Sequence, residues 1–289
     1  MKKDRPVMSL DNYKHIVEQA KDLDVLAWNI TGGEPLMIDW LENLIITLKP
    51  RKHYIAIQTN CSLLTKKKAL QFARLGVNCI TTSLDSLSAE THDRFRGFSG
   101  SHQKVFEGIR NARQAGMQTL VGITVTHQNL RSQDLVNVIK AANKEGAICL
   151  FNLAVPCGEW RDNKDIILRG DDRDYLMGIM KRFPMTSTDH EIGLKNIGCP
   201  AGVEKIYITP YGDVIPCPFI PVTFGNILEE PLIDIVKNMQ SLPEFSQYQH
   251  ICIAAEDENF QKNVLDKVYT EYKSYPVYYK EIFRNKLKK

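Results

Sequence analysis

Apolar positions along the first half of the chain alternate between helical spacing and short, nearly continuous runs. Tyr13, Ile16, Val17, Ala20 and Leu23 recur three to four residues apart, which predicts a helix opening near Ser9 or Asp11. LAWNI, from Leu26, then reads as a strand ending in Gly32-Gly33, and WLENLIITL, from Trp40, as a helix. YIAIQT from Tyr54 and NCITTSLD from Asn78 predict strands ending at Asn60 and Asp85, with the helical KKALQFARL, stopped by Gly76, between them. SHQKVFEGIRNARQA and QDLVNVIKAANKE are helices closed by Gly116 and Gly146, and each leads into a further strand, QTLVGITVT and AICLFNLAV. Short connections between alternating strands and helices predict βα units on a parallel sheet, an α/β fold. The strands are apolar almost throughout, which predicts a sheet covered on both faces.

After Pro156 the alternation is expected to stop. GEWRDNKDIILRGDDRD reads as loop and YLMGIMKRF, from Tyr175, as a short helix. Residues 199–230 are punctuated by Gly and Pro; IYIT and DVIP flank Pro210-Tyr211-Gly212 as a hairpin, and PLIDIVKNM opens a helix with Pro at its first turn. Residues 260–289 are helix-compatible, and their tyrosines at 269, 272, 275, 278 and 279 read as a packing stripe. The expected division is 1–160, 161–255 and a helical tail at 256–289.

Composition narrows the class. At 289 residues, 43% hydrophobic and 25% charged, the chain has the make-up of an ordinary globular protein. No run reaches the length of a membrane span and no secretory leader is evident, so the expected address is cytoplasmic. A net charge of +3 is too small to indicate nucleic acid, and the basic tail KEIFRNKLKK reads as a solvated helix end. Seven cysteines in such a chain do not form a disulfide framework. Cys79, Cys149 and Cys157 read as small buried hydrophobes. Cys199, Cys217 and Cys252 lie in the Gly/Pro-rich region and are the metal candidates; with His250 they also make a set that suits zinc.

The chemistry gathers around ITGGEPLM, residues 30–37. Paired glycines at a strand end let a ligand approach the backbone, Glu34 offers a carboxylate to an ammonium group, and Pro35 stiffens the turn. Polar residues recur at the other strand ends as Thr59 and Asn60, Ser83 and Asp85, Thr126 and Asn129, and Asn152. Together they predict one cleft at the carboxyl edge of the sheet.

The GGEP loop, the Thr-Asn pair after the next strand and SLDSLSAETHDRFRGFSGSHQKVFEGIRNARQAG resemble the core of radical S-adenosylmethionine (SAM) enzymes. Cys199 and Cys217, with Gly212 and FGNILEEPLIDI, resemble the SPASM or twitch extension that carries auxiliary iron–sulfur clusters. The resemblance implies a (β/α)6-type partial, TIM-barrel-like fold. It implies that Gly32, Gly33, Glu34 and Pro35 hold the SAM amino group, that Ser83 and Asp85 lie near its ribose and carboxylate, that Thr124 and Asn152 contact the adenosine, and that Asn60 also belongs to the SAM-binding set. Cys199, Cys217 and Cys252 would hold an auxiliary [4Fe–4S] cluster, with zinc as the alternative. A 5′-deoxyadenosyl radical would then modify a peptide or small molecule, with flavodoxin or ferredoxin as reductant.

Two departures follow. Cys61 stands where the family places Gly after Thr-Asn, implying a narrower or chemically different cleft. No cysteine precedes Cys61, so the Cys-x3-Cys-x2-Cys motif that holds the SAM-reducing cluster is expected upstream of Met1 together with the first barrel strand. The alternative is a catalytically inactive protein that binds SAM or a related metabolite, or a zinc-stabilised interaction domain.

Overall fold

A computed structural model describes residues 5–188, 198–284 and 286; part of the basic tail lies outside the described residues. The chain falls into two compact units, one of Val25–Ala154 and Leu168–Thr188, the other of Met1–Asp24, Val155–Ile167 and Asp189–Lys289.

The first unit is built on six parallel strands in sequence order: β1 (Ala27–Ile30), β2 (Tyr54–Gln58), β3 (Cys79–Ser83), β4 (Gln118–Val125), β5 (Ile148–Leu153) and β6 (Thr186–Thr188). With α1 (Leu10–Gln19) assigned to the other unit, its helices are α2 (Leu41–Thr47), α3 (Lys66–Leu75), α4 (Ala89–Arg96), α5 (Ser101–Gln114), α6 (Gln133–Lys144) and α7 (Asp172–Arg182). Side-chain oxygens of Thr65, Ser88 and Ser132 accept the first free N–H groups of α3, α4 and α6, so polar residues at strand-to-helix junctions fix where helices begin.

Three expectations are corrected by this architecture. The alternation does not stop at Pro156, because α7 and β6 add one more unit; β6 is three residues of Thr-Ser-Thr, too short for a periodic signal. The segment between β3 and α5 carries its own helix, α4. β3 is buried on both faces over residues 79–82, as expected, but the other strands are not. Ile55 and Ile57 are fully buried while Ala56 and Gln58 are not, and the register carries this alternation across the sheet. Ile57, Ile80, Val121, Ile123 and Phe151 line the face under the helices. Gln58, Thr81, Ser83, Gly122, Thr124 and Asn152 line the other. The second face is polar enough to receive a ligand.

In the other unit, β7 (Tyr207–Ile208) and β8 (Val214–Ile215) form the expected antiparallel hairpin. Arg5 forks onto Asp213 at 2.9 and 2.7 Å and reaches the Tyr211 carbonyl at 2.8 Å, which ties the start of the described chain to the hairpin turn. Gln19 at the end of α1 accepts from the first N–H of α8 (Leu232–Gln240) at 2.6 Å. The stretch after residue 260 is not one helix. Pro276 removes a backbone donor within it, and β10 (Val277–Tyr278) pairs in parallel with β9 (Val222–Thr223). Of the tyrosine stripe, Tyr279 is buried and stacks on Phe224 at 4.8 Å, in an aromatic core that includes Phe245 and Phe283. Among the described residues no helix is long and apolar enough to cross a membrane.

Candidate functional site

β1 ends at Ile30, and the chain turns through Gly32 at a φ of +136°, a conformation that residues with a Cβ rarely adopt. A Cβ placed on Gly32 or Gly33 would meet no atom within 4 Å, so the loop faces open space. Glu34 follows and caps a single helical turn, Pro35–Met37. Its Oε1 accepts from the Thr59 hydroxyl at 2.6 Å and the Leu36 N–H at 3.1 Å, and its Oε2 accepts from the Asn60 N–H at 2.8 Å. A carboxylate has about four acceptor sites; three donors fix its orientation and leave room for a further one. Pro35 is buried and holds the turn in place. An ammonium group approaching over the glycines would meet a carboxylate already oriented.

Asn60 contributes its backbone to this loop, because its side-chain oxygen is taken by the Ser62 N–H at 2.8 Å. Cys61 adopts a φ of 63°, a left-handed conformation that explains why glycine suits the position. The expectation that it narrows the cleft is corrected. Its thiol is buried under α5, where a Cβ added to Gly108 would lie 2.5 Å from both Cβ and Sγ of Cys61, and burial pushes the thiol up to about 12. Gly108→Ala is therefore expected to destabilise the protein by about 1–3 kcal/mol through overpacking. Adding Cys61→Gly should recover most of that loss in denaturant melts, whereas a double variant no better than the single one would exclude this contact as the cause.

Further along the edge, Ser83 and Asn152 converge over Gly122. A Cβ on Gly122 would lie 3.1 Å from Asn152 Nδ2, 3.4 Å from the Thr82 carbonyl and 3.7 Å from Ser83 Oγ. Thr124, the register partner of Asn152, completes this polar floor. Gly122 was missed as a site residue although a glycine inside QTLVGITVT signals a close approach.

Asp85 is placed differently. Its carboxylate takes a forked pair from Arg96 at 2.6 and 2.9 Å, and its N–H donates to His92 Nδ1 at 3.2 Å. That donation makes Nδ1 an acceptor, so the 3.3 Å approach of the same nitrogen to Asp85 Oδ2 is not an ion pair. Asp93 closes the next turn by accepting from the His102 N–H at 2.8 Å, the Gly100 N–H and the Ser101 hydroxyl at 2.9 Å; the two N–H groups hold it below the usual carboxylate range. Arg96 thus ties α4 to Asp85, and Asp93 ties α4 to the start of α5.

The candidate metal ligands all lie in the other unit. Cys199 N–H donates to the Gln249 carbonyl at 2.7 Å, which brings Cys199 beside Cys252. Burial, with the neighbouring Cys199 thiol, pushes Cys252 up to about 12. Cys217 lies on the turn where its carbonyl accepts from the Ile220 N–H at 3.0 Å. Among the described residues no group of three His, Cys, Asp or Glu side chains is gathered to hold a metal ion. Thiolates repel one another unless a cation offsets their charge, so assembly and metal binding are coupled.

A glycine-lined loop with an oriented carboxylate, at the carboxyl edge of a parallel sheet with one polar face, defines a small-molecule-binding α/β protein. The family is shown by the chain's match to the radical SAM superfamily over residues 1–158 and to the SPASM iron–sulfur cluster-binding domain over residues 199–259. The chain belongs to the radical SAM superfamily and carries a C-terminal SPASM domain. It is 24% identical over 262 residues to the AdoMet-dependent heme synthase of Methanosarcina barkeri, covering 81% of this chain and 74% of that protein. It is 25% identical over 262 residues to the subtilosin biosynthesis protein AlbA of Bacillus subtilis, covering 83% of this chain and 57% of that protein. Its fold matches Streptococcus suis SuiB bound to S-adenosylmethionine with a TM-score of 0.63 and 19% identity, over 81% of this chain and 60% of SuiB. SAM and [4Fe–4S] clusters are the cofactors typical of such enzymes.

Proposed function

We propose that this chain binds SAM and an auxiliary iron–sulfur cluster as a radical SAM/SPASM enzyme that modifies a peptide or small molecule. The observation that carries this reading is the Glu34 carboxylate, fixed by Thr59, Leu36 and Asn60 beside two glycines that face open space. Gly32, Gly33, Glu34 and Pro35 would receive the SAM ammonium; Ser83, Thr124 and Asn152 would border the ribose and adenine. Asn60 and Asp85 would shape the site, the first through its N–H and the second through Arg96. Beside a reduced [4Fe–4S] cluster, bound SAM would supply radical chemistry; the residues of this chain would bind and orient it. Cys199, Cys217 and Cys252 would hold the auxiliary cluster. SuiB, whose fold this chain shares, is also solved bound to the precursor peptide SuiA, which favours a peptide substrate; a small reduced electron carrier of the flavodoxin or ferredoxin type would supply electrons.

The polar floor gives a direct test. Gly122→Val would set a branched side chain between Ser83 and Asn152. Calorimetric titration with SAM is expected to show affinity reduced at least about tenfold, roughly 1.4 kcal/mol, while the fold stays intact by circular dichroism. Wild-type affinity in this variant would place the adenosine elsewhere.

A further inference from the structure

His127 lies just past β4, on the same carboxyl edge of the sheet as Ser83, Thr124 and Asn152. Its loop is locked: the Thr126 N–H donates to Asn129 Oδ1 at 2.8 Å, the Asn129 N–H returns to Thr126 Oγ1 at 3.1 Å, and Asn129 Nδ2 reaches the Thr124 carbonyl at 2.9 Å. His127 Nδ1 lies 2.7 Å from Oδ2 of Asp172, the first residue of α7, whose side chain is only 1% exposed. Asp172 also accepts from Arg131 and, at 2.9 Å, from the Arg169 N–H. Arg131 in turn binds Asp171 at 2.8 Å and stacks over Tyr175. Burial would raise Asp172, but its bonds to Arg131, Arg169 N–H and His127 outweigh that and hold it at about 2. At neutral pH it is therefore an anion.

An anion at Nδ1 keeps a ring proton there, so in the neutral ring it is Nε2 that carries the lone pair. The His127 side chain is 34% exposed, and its Nε2 takes part in no hydrogen bond found among the described residues. Pinning the start of α7 needs only Arg131 and Asp172; it gives no reason for a partly exposed imidazole with one nitrogen anchored on a buried carboxylate and the other without a hydrogen bond among the described residues. That arrangement is the one used by base catalysts.

We propose that His127 is a proton-accepting residue of this site, oriented by Asp172, for a substrate bearing a weakly acidic O–H, N–H or S–H group. The substrate X–H bond breaks, its electron pair stays on X, and a new N–H bond forms at Nε2. The imidazolium is then balanced by Asp172, and no electron changes hands. The role rests on reading this edge as the reacting side of the enzyme; its chemical basis is testable without SAM or cluster.

The test uses the full chain labelled with 15N-histidine. Long-range proton–nitrogen spectra are expected to show the neutral His127 ring protonated at Nδ1 with a bare Nε2. Diethyl pyrocarbonate should modify His127 several-fold faster than His15, whose Nε2 lies 2.7 Å from Gln19 Nε2. His127→Gln, which keeps a donor for Asp172, should melt at the wild-type temperature. A neutral ring protonated at Nε2, modification no faster than His15, or a melting temperature several degrees lower in His127→Gln would each overturn the proposal. Failure of the SAM-binding reading would appear instead in titrations of the Gly122 variant, so the two are distinguishable.

Discussion

Glu34→Gln is expected to weaken SAM binding by about 10- to 100-fold. The substitution keeps size and shape but removes the charge, and a charge-assisted hydrogen bond contributes about 1.5–3 kcal/mol, one to two decades of affinity. A second effect acts in the same direction. Glu34 accepts on both oxygens, from Thr59 and Leu36 at one and from Asn60 at the other. A carboxamide has one acceptor oxygen, so its NH2 must face either the Asn60 N–H or the Thr59–Leu36 pair, and the carboxylate geometry is lost. Isothermal titration with SAM reads the result; unchanged affinity would show that Glu34 is not the ammonium partner.

The other large loss concerns iron. Cys199→Ala or Cys252→Ala is expected to remove most of the brown iron–sulfur absorbance formed on anaerobic reconstitution, because thiolates are the normal ligands of such clusters and their binding is coupled to metal. The backbone bond from Cys199 to Gln249 already holds these two residues together before any ligand arrives. Cys217→Ala should act likewise as the third ligand. Cys157→Ser, at a half-buried residue that is not one of the proposed ligands, should leave the iron content unchanged. A colourless protein with stoichiometric zinc would replace the cluster by a structural zinc site.

The parts of the fold with strong periodicity were legible in the sequence. Five strands and the helices between them announced themselves by apolar spacing and closing glycines, and the GGEP loop stands at the strand end where it was expected. β6 was not legible, because three residues cannot establish a period. α4 lay in a stretch to which no element was assigned, since its composition is largely polar. The polar face of the sheet was obscured because Ala56, Leu120 and Leu150 lie on it and read as apolar; only register shows that they share a side with Gln58, Thr81 and Gly122. Cys61 could be recognised as standing in a glycine position, but the direction of its thiol depended on Gly108, distant in sequence. His127 gave no local signal at all: its meaning comes from Asp172 on α7, brought to it by the fold.

Binding of SAM at the carboxyl edge of the six-stranded sheet is tested most directly by hydrogen–deuterium exchange of the chain with and without saturating SAM. Exchange is expected to slow in peptides covering residues 31–37, 59–61 and 121–126, with little change in α1 or α8. No protection anywhere, or protection confined to segments away from β1, β2 and β4, would contradict SAM binding at this edge.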